Sequence, residues 1–180
     1  MTAPPIDITF APVTERHWPL LERWLHATHM REWWGDPDIE IQMIRDMVEG
    51  RDSTRPFIFS IDDKPLGYIQ VWRVADALCE PWLTEAPWLT KLPPGAIGVD
   101  LSIGEPAYLG CGVGSAVLAR FVDDLRAKGH DTIIIDPDPR NHRAVRAYQK
   151  AGFRVAPEFS DPTGASLILR HEPSRSADTT

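Results

Sequence analysis

Cysteine is scarce in this 180-residue chain. Cys79 and Cys111 are the only two, too few for a disulfide framework or a cysteine-only metal site. Long apolar runs are missing too: none approaches the ~20 residues that cross a bilayer, and the longest, Thr132 to Ile135 with its flanks, is strand-sized. The opening residues, Met1-Thr-Ala-Pro-Pro-Ile-Asp7, have neither a basic start nor an apolar stretch, which reads against an ordinary secretory signal. Basic charge is in deficit, with 19 Lys and Arg against 26 Asp and Glu and a net charge of −7. That balance argues against a nucleic-acid partner. It suits a cationic small molecule drawn to an acidic cleft, and it equally suits plain solubility. The histidines lie scattered at 17, 26, 29, 130, 142 and 171, so no metal centre is expected. The reading is one cytoplasmic domain over 1–180, a monomer or weak dimer, with 172–180 as a frayed tail.

What the chain has in quantity is tryptophan, seven, and proline, seventeen. Tryptophan fills cores and also stacks on ligands, so position must decide. Ile6, Ile8 and Phe10 alternate as a half-buried strand. Thr14 is placed to cap a helix with Trp18, Leu21, Trp24 and Leu25 on its apolar face, which assigns Trp18 and Trp24 to packing. Gly35 and Pro37 break the pattern after His29 to Trp34, and a second helix fits 38–49. Strands follow at Phe57–Ile61 and Leu66–Val74 around an Asp62-Asp-Lys-Pro65 turn. Residues 75–96 carry Pro81, Pro87, Pro93 and Pro94 and form a long loop, read as a lid or pocket wall because Trp82 and Trp88 argue against disorder. Glu80 and Glu85 in that loop read as solvated.

A strand at Ile97–Ile103, a glycine-rich turn and a helix with Val117, Leu118, Phe121, Val122 and Leu125 come next. A β-branched strand, Thr132–Ile135, precedes a helix over Arg140–Ala151 stopped by Gly152. Phe153–Val155 and Ser166–Leu169 close the chain as a pair. The fold class expected is α/β (α+β): one mixed sheet flanked by helices.

The turn Tyr108-Leu-Gly110-Cys111-Gly112-Val113-Gly114-Ser115 joins a strand to a helix. Glycines there let backbone N–H groups converge on a phosphate at a helix N-terminus. It matches neither the nucleotide P-loop nor the dinucleotide fingerprint. Asn141, Ala144, Tyr148, Gly152 and Phe153 follow at fixed spacing, and together the two segments resemble the signature of the GNAT acetyltransferase superfamily. Trp24-Leu25, His29, Trp33-Trp34-Gly35, Gly67-Tyr-Ile-Gln70, Gly98-Val-Asp100 and Asp136-Pro-Asp-Pro-Arg-Asn141 resemble, within it, the type I aminoglycoside 6'-N-acetyltransferases.

The resemblance implies a GNAT-like domain that transfers acetyl from acetyl-CoA, as co-substrate, to a polyamine or aminosugar. It places Ser102, Ile103, Gly110, Cys111, Gly112, Val113, Gly114, Ser115 and Asn141 at the coenzyme, and Trp34, Gln70, Trp72, Trp88 and Asp136 at the acceptor. Asp100, an acid in an apolar strand, is expected to bind the acceptor ammonium and take its proton. Tyr148 is expected to protonate the leaving thiolate. Leu109 departs from the Gln or Arg usual in the superfamily, and 75–96 matches least. Siderophore hydroxylysine acyltransferases share part of the pattern, so another small amine is the alternative acceptor; a CoA-binding regulator without turnover is the alternative class.

Overall fold

In the computed structural model, residues 6–173 are described. Among them seven strands make one sheet in the order β1-β2-β3-β4-β5-β7-β6. The strands are β1 Ile8–Pro12, β2 Arg55–Ile61, β3 Lys64–Arg73, β4 Ile97–Ile103, β5 Ile133–Ile135, β6 Phe153–Val155 and β7 Leu169–His171. The helices are α1 Trp18–Leu25, α2 Thr28–Trp34, α3 Pro37–Val48, α4 Trp82–Glu85, α5 Val113–Ala127 and α6 His142–Lys150. Neighbouring strands run antiparallel except β4 and β5.

Strand β4 reads Ile-Gly-Val-Asp-Leu-Ser-Ile, and the two-residue period of a strand divides it between two faces. Ile97, Val99 and Leu101 join the main core with Val117, Leu118 and Phe121 of α5. Gly98, Asp100 and Ser102 face the other way, opposite Trp72, Gln70 and Tyr68 of β3. On that second face α1, α2 and α3 pack Leu21, Trp24, Met30 and Ile44 against Ile58 and Tyr68. The parallel pair β4–β5 is short: only Ile97 with Ile133 and Gly98 with Ile134. Beyond Gly98 the strands part, and among the described residues no strand pairs with Val99–Ile103 on that side.

Several local expectations are corrected. His29–Trp34 is helical: Gly35, at φ +90°, ends α2. Asp36 then starts α3 by accepting the N–H groups of Asp38 and Ile39 at 2.9 and 3.3 Å, with Pro37 in the first turn where its missing N–H costs nothing. Gly-Asp-Pro thus punctuates two helices, where the sequence showed only a break in the pattern. Residues 75–96 are not structureless; they hold α4 between 3-10 turns at Val74–Ala77 and Pro87–Lys91. Trp88 and Leu89, each 2% exposed, pin the segment to Val74, Ile134 and Phe159. The last strand starts at Leu169, because Asp161 accepts the N–H of Ser166 and Pro137 that of Leu167. Ile6 lies outside β1 and is 64% exposed. Of the expected tail, Glu172 donates its N–H to Gly152, and 174–180 lie outside the described residues.

Gly104, just past β4, lies under the ring of Trp24, whose Nε1 donates to Glu105 at 2.9 Å. A Cβ there would sit 2.0 Å from Trp24 Cδ2, so overpacking follows. Gly104→Ala is expected to cost about 1–3 kcal/mol, and Gly95→Ala, with open space around it, close to nothing. Thermal unfolding of the two variants side by side checks this.

Candidate active site

The turn into α5 is built on backbone conformation. Gly110 and Gly112 have φ of +76° and +82°, and a Cβ on either would meet nothing within 4 Å. Glycine is needed there for the left-handed backbone, not for room. Gly112 occupies the N-cap of α5 and supplies no side-chain acceptor, so the first N–H groups of a 15-residue helix point outward with the positive end of its dipole. Gly114 lies buried in that first turn against Leu101 and Ile103. These groups line a cleft of about 220 Å³ together with His29 and Trp34 of α2, Asn141 at the N-cap of α6, and Ala144 and Tyr148 within it. His29 Nε2 lies 2.9 Å from the Ile103 carbonyl oxygen and ties α2 to the end of β4.

The cofactor-side candidates divide by role. Ser102 and Ile103 line the cleft; Ser102 is 7% exposed and its Oγ has no partner among the described residues. Asn141 caps α6, its Oδ1 accepting from the Ala144 N–H at 3.1 Å. Ser115 Oγ donates to the Gly112 carbonyl. Val113 packs on the core, and Cys111 is exposed with its Sγ turned to the carbonyls of Ala107 and Leu109. Sequence reading passed over Arg143, Arg146 and Lys150, which rim the same cleft. Their three- and four-residue spacing along α6 was the available signal, hidden by the acidic total.

On the other face of β4, Asp100 Oδ2 accepts from Gln70 Nε2 at 2.8 Å and from Trp72 Nε1 at 3.0 Å. Gly98 makes this possible, since a Cβ there would lie 2.1 Å from the Trp72 ring. Asp136 follows β5 directly. Both acids line a cavity of about 240 Å³ with Trp33, Trp34 and Tyr148. Both also line one of about 380 Å³ with Gln70, Trp72, Trp82, Glu85 and Trp88. Tyr148 borders the first cleft and the 240 Å³ cavity alike, as do Trp33, Trp34, Leu101 and Asn141, so these side chains join the glycine turn to the acids. Of the tryptophans, Trp34 sets its ring edge on Tyr68 at 5.4 Å, Trp88 is 2% exposed, and Trp82, passed over as a site residue, is 39% exposed.

Burial raises Asp100 above the usual carboxylate range despite its two donors. Asp136 is raised well above it, first by burial and then by Asp100, with a backbone hydrogen bond opposing. Burial and then Asp100 push Glu40 of α3 up to about 7, a third carboxyl that sequence reading missed. Burial, Asp100 and Asp136 raise Tyr148, which keeps its proton at neutral pH. Among the described residues no Lys, Arg or His pairs with Asp100 or Asp136. The acids repel one another with nothing positive to offset them, so a cation is what the site lacks.

A split sheet with a glycine-entered helix N-terminus at the gap favours an anion on one side, and the unpaired acids favour a cation on the other. The chain belongs to the acetyltransferase (GNAT) domain family, whose model matches residues 13–161. It is 29% identical over 171 residues to aminoglycoside N(6')-acetyltransferase type 1 of Klebsiella pneumoniae, covering 91% of this chain and 82% of the relative. A solved structure of AAC(6')-Ib with paromomycin and acetyl-CoA superposes with a TM-score of 0.76 at 26% identity, covering 95% of this chain and 99% of that one. Another, with coenzyme A and kanamycin, gives 0.74 at 25% identity over 93% and 95%.

Two outcomes follow. A β-branched residue in the left-handed conformation of Gly112 costs about 1–2 kcal/mol, so Gly112→Val is expected to raise the CoA dissociation constant by about tenfold in a protein that still folds; calorimetry reads it. For Asp136, the native state holds its proton to higher pH than the unfolded chain, so stability falls as pH rises above the ordinary carboxylate range. Asp136→Asn removes that loss. Its melting temperature is expected to exceed wild type at about pH 8 and to match it below about pH 4, by about 2–4 °C for each kcal/mol relieved.

Proposed function

We propose that this protein transfers the acetyl group of acetyl-CoA to the 6'-amine of an aminoglycoside and thereby confers resistance to such antibiotics. The observation that carries the reading is the pair Asp100 and Asp136: two raised, uncompensated carboxyls at the parting of β4 and β5, open to cavities with tryptophan walls. A polycationic aminosugar supplies the missing positive charge and presents ring faces for stacking. The relatives whose names and complexes mention aminoglycosides support the same acceptor.

In this reading the backbone N–H groups at Gly110 to Ser115 and the cations Arg143, Arg146 and Lys150 hold the phosphates of CoA. Asp100, with Oδ2 fixed by Gln70 and Trp72, takes the acceptor ammonium on Oδ1 and accepts its proton. The neutral amine attacks the thioester carbonyl, the C–N bond forms and the C–S bond breaks. Tyr148 donates its proton to the departing thiolate. The nitrogen sheds its second proton as it becomes the amide, which restores Tyr148, and the proton on Asp100 passes to solvent. Holding both substrates across one gap supplies much of the acceleration, and no acyl-enzyme is required. Asp136 binds a further ammonium or shares the one on Asp100.

The test is wild-type protein with kanamycin, tobramycin, gentamicin, N-hydroxylysine and a peptide, each with acetyl-CoA, following free thiol and product mass. Acetylated kanamycin is expected, weakening with added salt as rim charges are screened. Asp100→Asn is expected to lose about 10²-fold or more in kcat/KM, and Tyr148→Phe to lower kcat with little change in KM for acetyl-CoA. Thiol release with N-hydroxylysine but none with any aminoglycoside would reassign the acceptor.

A further inference from the structure

We propose that Tyr68 is a positioning residue for the transfer, its hydroxyl fixing through Gln70 the orientation in which Asp100 meets the acceptor amine. The acceptor half of that statement rests on the function proposed above; the positioning half does not. Tyr68 lies within β3, 2% exposed, with the edge of Trp34 on one side and Met47 Sδ 3.7 Å from its oxygen on another. Tyr68 and Gln70 are two residues apart and share a face of the strand. The Tyr68 hydroxyl donates to Gln70 Oε1 at 2.6 Å, and Gln70 Nε2 donates to Asp100 Oδ2 at 2.8 Å. Three side chains form one chain, donor to acceptor, from β3 onto β4.

The direction of that chain is set at both ends. An ionised carboxylate only accepts, so Gln70 must turn its NH2 group to Asp100 and its oxygen to Tyr68. Tyr68 must then donate, and it is equipped to: burial and the negative charges of Asp100, Glu40 and Asp52 keep its proton on. With Oδ2 held by Gln70 and by Trp72, Asp100 keeps Oδ1 for a ligand. Without the hydroxyl the terminal amide of Gln70 rotates in a broad, two-fold well, and one of its two settings points an oxygen at a carboxylate. The ring of Tyr68 packs; its hydroxyl aims. Tyr68→Phe separates the two, because it keeps the ring against Trp34.

The experiment is a carbon-13 carboxyl titration by NMR of the whole protein without ligands, with the Asp100 signal assigned by its loss in Asp100→Asn. The other groups facing Asp100 are Asp136 after β5, Glu40 from α3 and Tyr148 from α6, and all stay in every variant compared. Tyr68→Phe is expected to raise the Asp100 midpoint by about 0.5–1 unit, the loss of one hydrogen bond's worth of stabilisation of the ionised form. In a Gln70→Ala background the same substitution is expected to change nothing further, since the route to Asp100 is gone. With kanamycin and acetyl-CoA, Tyr68→Phe is expected to lower kcat/KM by about tenfold at unchanged KM for acetyl-CoA. An unchanged midpoint in Tyr68→Phe would overturn the proposal. So would an equal shift in both backgrounds, which would make Tyr68 a packing residue acting through space. The titration needs no acceptor, so a failure of kanamycin as substrate strikes the acceptor alone.

Discussion

Strands β4 and β5 share two residue pairs and then separate. Among the described residues no other strand closes the gap they leave, so backbone groups along one edge of Val99–Ser102 have no strand partner, and a buried edge of that kind calls for a partner. α5 and α6 border the gap from one side and α2 from the other, tied in by His29 on the Ile103 carbonyl. The glycine turn opens onto the same gap, which puts an anion-seeking helix end beside an unpaired strand edge. Asp100 stands on β4 and Asp136 directly after β5, so the two acids lie where the strands diverge.

Charge follows the same partition. The chain is acidic overall, yet the rim of the cleft carries Arg143, Arg146 and Lys150, while the acids lie beyond Tyr148. In the proposed transfer an anionic carrier and a cationic acceptor are thus drawn to two cavities that share Tyr148. Among the described residues no Lys, Arg or His pairs with the acids, and that arrangement costs stability. It leaves the full attraction for a ligand. Asp100 is spared part of the cost by two neutral donors, Gln70 and Trp72, which hold it without neutralising it.

How much was legible varied with the range of the interaction. The core of α5 at Val117, Leu118, Phe121, Val122 and Leu125 was readable because a helix repeats its pattern within a few residues, and all five are buried. The stop at Gly152 was readable because its φ of +96° is a local property. The turn at Gly110 and Gly112 was readable for the same reason. α2 was not, since Gly35 and Pro37 end one helix and begin another, and punctuation reads alike in both cases. The order in 75–96 was hidden because Trp88 is held by Val74, Ile134 and Phe159, contacts that no local pattern announces.

By itself the sequence determined the strand and helix periods, the glycine turn before α5, and the acid at position 100, expensive in an apolar strand unless it meets a partner or a cleft. It also carried the motif spacing that matches one superfamily. Only the tertiary structure decided what Asp100 touches. Gln70 and Trp72 stand 30 and 28 residues before it, and they reach it because the β3–β4 register sets Gln70 opposite it and Trp72 opposite Gly98. A shift of β3 by one residue would have turned Gln70 and Trp72 to the face away from Asp100. Register is fixed by turn geometry and by which faces are buried, both properties of the assembled sheet, so the role of each side chain around Asp100 became readable only there.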